Sequence, residues 1–182
     1  MTTLYRVLPY AADSAKGAAG HPLYIPPTAG AGRVDGPEYD VLYLGDDPVC
    51  AVAEAFGALP VWGPGMLRGL PTLPHSVRAL ATYELASGST ICDLDDAATL
   101  LDLDIRPSRV VTRDREVTQG WASRIHRLGR HVGVRWWSYY NPDWGSLGLW
   151  DIRRLRVVGV TALDVTHPAL IAAAEAIVRR IV

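Results

Sequence analysis

Hydrophobic and polar positions along this chain switch between a period of two and a period near 3.6, and the switches mark its elements. LYRVLP, Leu4 to Pro9, alternates as a short strand, with Leu4, Arg6 and Leu8 on one face and Tyr5 and Val7 on the other. A Gly/Ala/Pro-rich loop is expected from Ala11 to Pro37, then a strand at Tyr39–Gly45 (YDVLYLG), rich in β-formers. DDPVCAVAEAFG reads as a punctuated helix: Asp47 can cap it, Pro48 suits its first turn and Gly57 can end it. The turn-rich stretch from Ala58 to Pro74 predicts a surface loop. Strands are predicted at Ala79–Leu85 and Thr90–Leu94, followed by a short helix at Asp95–Leu101. Val117, Trp121, Ile125 and Leu128 recur at helical spacing, which predicts an amphipathic helix over Arg115–Leu128. GVRWWSYYNPDWGSLGLW, from Gly133 to Trp150, predicts two strands joined by a turn at Asn141-Pro142-Asp143. A last strand at Leu155–Val165 and a closing helix at His167–Ile181 complete the pattern. Strands and helices mix without a repeating βαβ unit, so the expectation is a single α+β domain over residues 1–182 with a central β core.

Composition narrows this picture. A length of 182 residues suits one domain with a proper core. A formal net charge of −1 gives no sign of a nucleic-acid-binding surface. Lys16 is the lone lysine beside 17 arginines; forked guanidiniums suit phosphate or carboxylate recognition, and a GC-rich coding sequence would give the same bias. Cys50 and Cys92 stand without C-x-x-C spacing and the five histidines are scattered, so neither a disulfide scaffold nor a metal site is expected. The start MTTLYRVLPY lacks the basic and apolar regions of a signal peptide, and no run is long enough to span a bilayer. The expected location is the cytoplasm.

Four positions stand out chemically. Arg6 lies between two leucines on one strand face, which places it at a sheet margin or partly buried against an anion. Glu54 falls roughly 150° from the apolar stripe formed by Val49, Val52, Ala53 and Phe56, so periodicity makes it a solvated flank residue, though a flank can also line a cleft. Ser138 shares a face with Val134, Trp136 and Tyr140; a hydroxyl there needs a partner, from the backbone or from a site. No G-x-S-x-G elbow surrounds it, which argues against a nucleophile. Gly30, Gly32 and Arg33 form G-x-G-R, a poor dinucleotide fingerprint whose flexible loop could still carry Arg33 over a ligand.

Taken in order, LYRV, then GRVDGP before VLYLG, AVAEAFG, TQGWA and GVRWWS resemble the RES domain family over roughly Leu4 to Asp164. The family is named for an arginine, a glutamate and a serine, which the resemblance maps onto Arg6, Glu54 and Ser138. It implies an ADP-ribosyltransferase-like fold and phosphorolysis of NAD⁺ to nicotinamide and ADP-ribose 1″-phosphate. NAD⁺ is then the substrate, inorganic phosphate the co-substrate, and no cofactor is needed; the alternatives are water or a protein side chain as acceptor in the same cleft, or a non-catalytic partner-binding module of the same fold. Arg6 and Arg33 would hold phosphates, Tyr43 would help form the nicotinamide pocket, and Glu54 and Ser138 would complete the site. The resemblance also implies a bacterial toxin paired with a DNA-binding antitoxin protein. Many members carry G-G-R-W-N where this chain has G-A-G-R-V-D, a departure within the proposed phosphate loop.

Overall fold

Alternation along the first strand decides how the molecule is layered. In the computed structural model, which describes residues 1–27 and 30–182, β1 spans Thr2–Tyr10 and turns Leu4 and Leu8 to one face, Tyr5 and Val7 to the other. β1 lies near the middle of a seven-stranded sheet with β2 (Leu42–Gly45), β4 (Val77–Leu85), β5 (Ile91–Asp93), β6 (Gly133–Trp137), β7 (Gly145–Leu149) and β8 (Leu155–Ala162); β3 (Val61–Trp62) stands outside it. The order is β5-β6-β7-β2-β1-β4-β8, antiparallel except for the β5–β6 pair. The expected α+β class with a β core is therefore observed.

Helices occupy one face as two separate clusters. Over β1 and β4 pack α1 (Pro48–Phe56) and α4 (Pro168–Ala176), through Val52, Phe56, Leu80, Leu170 and Ala173. Over β5 and β6 pack α2 (Ala97–Asp102) and α3 (Arg115–Arg127), through Leu100, Trp121, Ile125, Val134 and Trp136. The opposite face buries Leu4, Leu8, Leu42, Leu44, Tyr83, Leu147 and Leu149 beneath Leu23 and Ile25 of the 11–37 loop, of which Thr28 and Ala29 lie outside the described residues. Further along the same loop, Val34 packs into the α3 cluster instead. Gly148 makes room for it, because a Cβ there would run into Val34 and Val41.

Local expectations hold where caps or periodicity are strong. Asp47 caps α1, accepting from the Val49 and Cys50 N–H groups at 2.7 and 3.4 Å. Asp114 caps α3 in the same way, and the Asn141 side chain closes the turn between β6 and β7 by accepting from Asp143 N–H at 3.0 Å. Three expectations need correction. β2 begins only at Leu42, because Tyr39 pairs back with Gly36 and stacks on His126 instead of joining the sheet. The 58–74 stretch is not all surface: Trp62 is fully buried, donates its indole N–H to Phe56 O at 3.1 Å, and sits on β3. The closing helix stops at Ala176, and Val178 takes a φ of 55°, a conformation a β-branched residue rarely adopts. That turn sends β9 (Arg180–Ile181) alongside β3 in a parallel pair. Two short pieces far apart in sequence complete one another, a pairing that no local signal announces.

Candidate active site

Glu54 stands on the solvent flank of α1, as periodicity predicts, and it is exposed. Its Oε1 nevertheless accepts from the Ser138 hydroxyl at 2.6 Å and from the Ser146 hydroxyl at 3.2 Å. Both serines are buried, at 2% and 5% exposure, so an outward carboxylate is pinned from the core side. Strand geometry explains the reach. Ser138 follows the last residue of β6, and its N–H donates to Trp144 O at 2.7 Å, continuing the β6–β7 pairing by one step. Ser146 lies directly opposite Trp136 in that pairing and therefore faces the helices. The Ser138 Oγ also accepts the Tyr140 N–H at 3.1 Å, so its own proton is directed at Glu54. The serine thus orients a carboxylate by a charge-assisted bond and is not set up as a nucleophile.

Arg33 and Tyr43 form the adjoining wall. The Arg33 Nη1 donates to Val110 O at 3.1 Å and Thr112 O at 2.7 Å, which anchors the loop to the segment that enters α3. Burial lowers the Arg33 pKa, and the like charge of Arg115 lowers it further, while Glu54 and Tyr43 oppose that shift. Tyr43 does not offer a free hydroxyl. Its O–H donates to Asp35 Oδ1 at 2.6 Å and accepts from Val34 N–H at 3.0 Å, and burial, followed by the Asp35 bond, raises its pKa. Its ring meets Trp136 edge-on at 6.4 Å between centroids. Gln119 of α3 adds bonds to Gly30 O (2.7 Å) and Gly32 O (2.8 Å), so the G-x-G-R turn is braced on both sides.

Two contributors escape a reading by motif. Ser146 sits in GSLGL, where every position is buried, and a hydroxyl in such a strand asks for a partner. Arg115 is the first residue of α3, where a cation opposes the helix dipole; with Asp114 recognisable as the cap, that misfit is visible in sequence. At the rim, Arg113 donates to the Tyr139 hydroxyl at 3.0 Å and lies 5.2 Å from that ring's centroid. Among the described residues no carboxylate lies within ion-pair distance of Arg33, Arg113 or Arg115.

Arg6 is not brought to this group. The alternation that buries Leu4 and Leu8 turns Arg6 to their face of the sheet, away from α1 and Glu54. There its Nη1 donates to Tyr24 O at 2.8 Å and Pro22 O at 3.4 Å, holding the 11–37 loop. The structure therefore assembles Glu54, Ser138, Arg33 and Tyr43, adds Ser146 and Arg115, and leaves Arg6 on the far side. Among the described residues no cluster of His, Cys, Asp or Glu could hold a metal ion, and no helix is long and apolar enough to cross a membrane.

The fold is thus mixed α+β, with a serine-pinned carboxylate close enough to Arg33 to act on its charge, and among the described residues neither Arg33 nor Arg115 has a carboxylate partner. The chain belongs to the RES domain family, whose model matches residues 3–171. Its fold is similar to that of a chain in the crystal structure of the M. tuberculosis MbcT–MbcA toxin–antitoxin complex, at a TM-score of 0.64 and 15% identity, covering 97% of this chain and 89% of that one. No curated protein matches it in sequence.

Proposed function

We propose that the chain cleaves the nicotinamide–ribose bond of NAD⁺ and passes the ADP-ribosyl group to inorganic phosphate. The observation that carries this reading is the Glu54 carboxylate, held by Ser138 and Ser146 beside Arg33. When the C1″–N bond breaks, its electron pair stays with the ring, and the cationic nicotinamide leaves as a neutral molecule. No general acid is needed, so one carboxylate suffices where an ordinary glycosidase requires two. Glu54 faces the positive charge that grows on the ribose, and its two hydroxyl donors keep it in place before that charge develops. Phosphate oxygen then forms the new bond to C1″, giving ADP-ribose 1″-phosphate. Arg33 and Arg115 supply forks for the substrate's phosphates, and Tyr43, backed by the buried Trp136, gives aromatic surface near the nicotinamide. Arg6 contributes from outside the cleft, by holding the loop that leads towards Arg33.

The family and the fold shared with a toxin–antitoxin complex support a toxin role and an antitoxin protein as partner. We read the architecture as ADP-ribosyltransferase-like on the same footing. NAD⁺ incubated with and without phosphate, with products followed by phosphorus NMR, tests the reaction. Phosphate-dependent loss of NAD⁺ with a new phosphomonoester signal is expected. ADP-ribose alone would make water the acceptor, and intact NAD⁺ at every phosphate concentration would overturn the enzyme reading.

A further inference from the structure

A cavity of about 250 Å³ opens on the sheet face opposite Glu54, between β1, the 11–37 loop and the segment around Leu70 and Leu73. Its wall includes Arg6, Leu8, His21, Tyr24, Leu70 and Leu73. Arg6 is an unusual occupant for such a place. A guanidinium carries five N–H donors; among the described residues Arg6 directs Nη1 at two backbone carbonyls, and its one side-chain partner is the Tyr83 hydroxyl. Among the described residues no carboxylate pairs with it, and burial lowers its pKa despite the Tyr83 hydroxyl alongside. Taking a charged group out of water without a counter-charge is costly, and carbonyl dipoles offset only part of that cost. The rest of the fork is not sealed in, since none of its nitrogens is both buried and without a partner. His21 supplies a second donor on the wall: its Nδ1 accepts the Leu23 N–H at 3.0 Å, which leaves the ring proton on Nε2. Leu8, Pro9, Leu70 and Leu73 make much of the remaining surface apolar, beside Tyr24 and Thr72.

We propose that this cavity binds a small organic anion: a carboxylate that meets the unused edge of the Arg6 fork and the His21 ring, attached to an apolar body that lies against Leu70 and Leu73. Fork and carboxylate match in a planar, two-bond geometry, and the apolar lining disfavours a bare, strongly hydrated ion. The site is separate from the Glu54 cleft and does not depend on the reaction proposed for it.

Calorimetric titration of the full chain with benzoate, hexanoate and inorganic phosphate tests the proposal, with thermal melting run in parallel. Saturable binding of a carboxylate and a raised Tm are expected, with phosphate alone giving neither. Leu73→Trp fills the cavity and leaves both Arg6 bonds untouched; it should abolish that binding while NAD⁺ turnover stays as in the wild type. Arg6→Met should weaken binding at least about ten-fold through loss of a charge-assisted contact. Should Arg6→Met fail to fold, Leu73→Trp decides alone. No carboxylate binding, binding that survives Leu73→Trp, or binding of phosphate in place of the carboxylates would overturn the proposal.

Discussion

At Glu54 two readings of one residue turn out to describe different halves of it. The side chain is exposed, as its place off the apolar stripe requires, yet one oxygen is held by Ser138 and Ser146 from the buried side. Glu54→Gln keeps shape and removes charge. It should lower kcat roughly 10²-fold or more, with Tm nearly unchanged and NAD⁺ affinity falling much less, because ground-state ribose carries little of the charge at stake. Measuring kcat, Kd and Tm on that one variant checks the assignment, and a fully active Glu54→Gln protein sinks it. The serines should rank by their distances. Ser138→Ala, which loses the 2.6 Å bond, should cost about one to two decades in kcat, and Ser146→Ala, at 3.2 Å, distinctly less. Cysteine chemistry points the other way. Burial, more than the nearby carboxylates, pushes the Cys50 thiol up to about 12, and burial pushes Cys92 to about 11. Raised values leave almost no thiolate at neutral pH. Native protein should therefore resist a thiol-specific reagent until denatured, and fast labelling of the folded chain would contradict this.

Helix α1 is the element that presents the carboxylate, and it is restrained at both ends. Asp47 caps its amino end, while the Arg179 fork donates to Gly57 O at 3.2 and 2.8 Å at its carboxyl end, where a cation also suits the dipole. Gly57 is required there for space, not for left-handed backbone: its φ is −60°, and a Cβ would collide with the Tyr140 ring. Asp47→Ala should cost about 1 kcal/mol of stability. Arg179→Ala should destabilise the chain and also loosen the Glu54–Ser138 contact, so hydrogen exchange at the last turn of α1 should quicken. Unchanged exchange in Arg179→Ala would mean that the tail does not restrain this helix.

For the whole molecule, the seam between the α1–α4 and α2–α3 clusters is what turns separate residues into a site. Glu54 comes from one cluster, Arg115 from the other, Ser138 and Ser146 from the sheet beneath, and Arg33 from the loop between β1 and β2. If the toxin reading holds, producing the wild-type chain in bacteria should deplete NAD⁺ and arrest growth, and Glu54→Gln should do neither. Growth arrest at undiminished NAD⁺ would point to another target. The small β3–β9 pair closes the α1–α4 side over Trp62, so Trp62→Ala should cost about 3–5 kcal/mol, read from a denaturation curve.

What was legible in the sequence was legible because it is local. Asp47 and Asp114 cap neighbouring N–H groups, Asn141 turns the chain beside itself, and the period of α3 repeats within four turns, so each acts without knowing the rest of the fold. The family motifs likewise carried Glu54, Ser138, Arg33 and Tyr43 into the candidate site by their residues alone. Other features depended on what lies across the molecule. Alternation stated that Arg6 shares a face with Leu4 and Leu8, but only the placement of α1 on the opposite face showed that this separates Arg6 from Glu54. Periodicity could say that Glu54 faces outward, yet not that two paired segments more than eighty residues later, the end of β6 and β7, each bring a hydroxyl to it. Trp62 looked like loop until the carboxyl-terminal strand covered it. Backbone propensity and capping act over a few residues, whereas a site is a meeting of side chains distant in sequence, and tertiary packing alone chooses which of them meet.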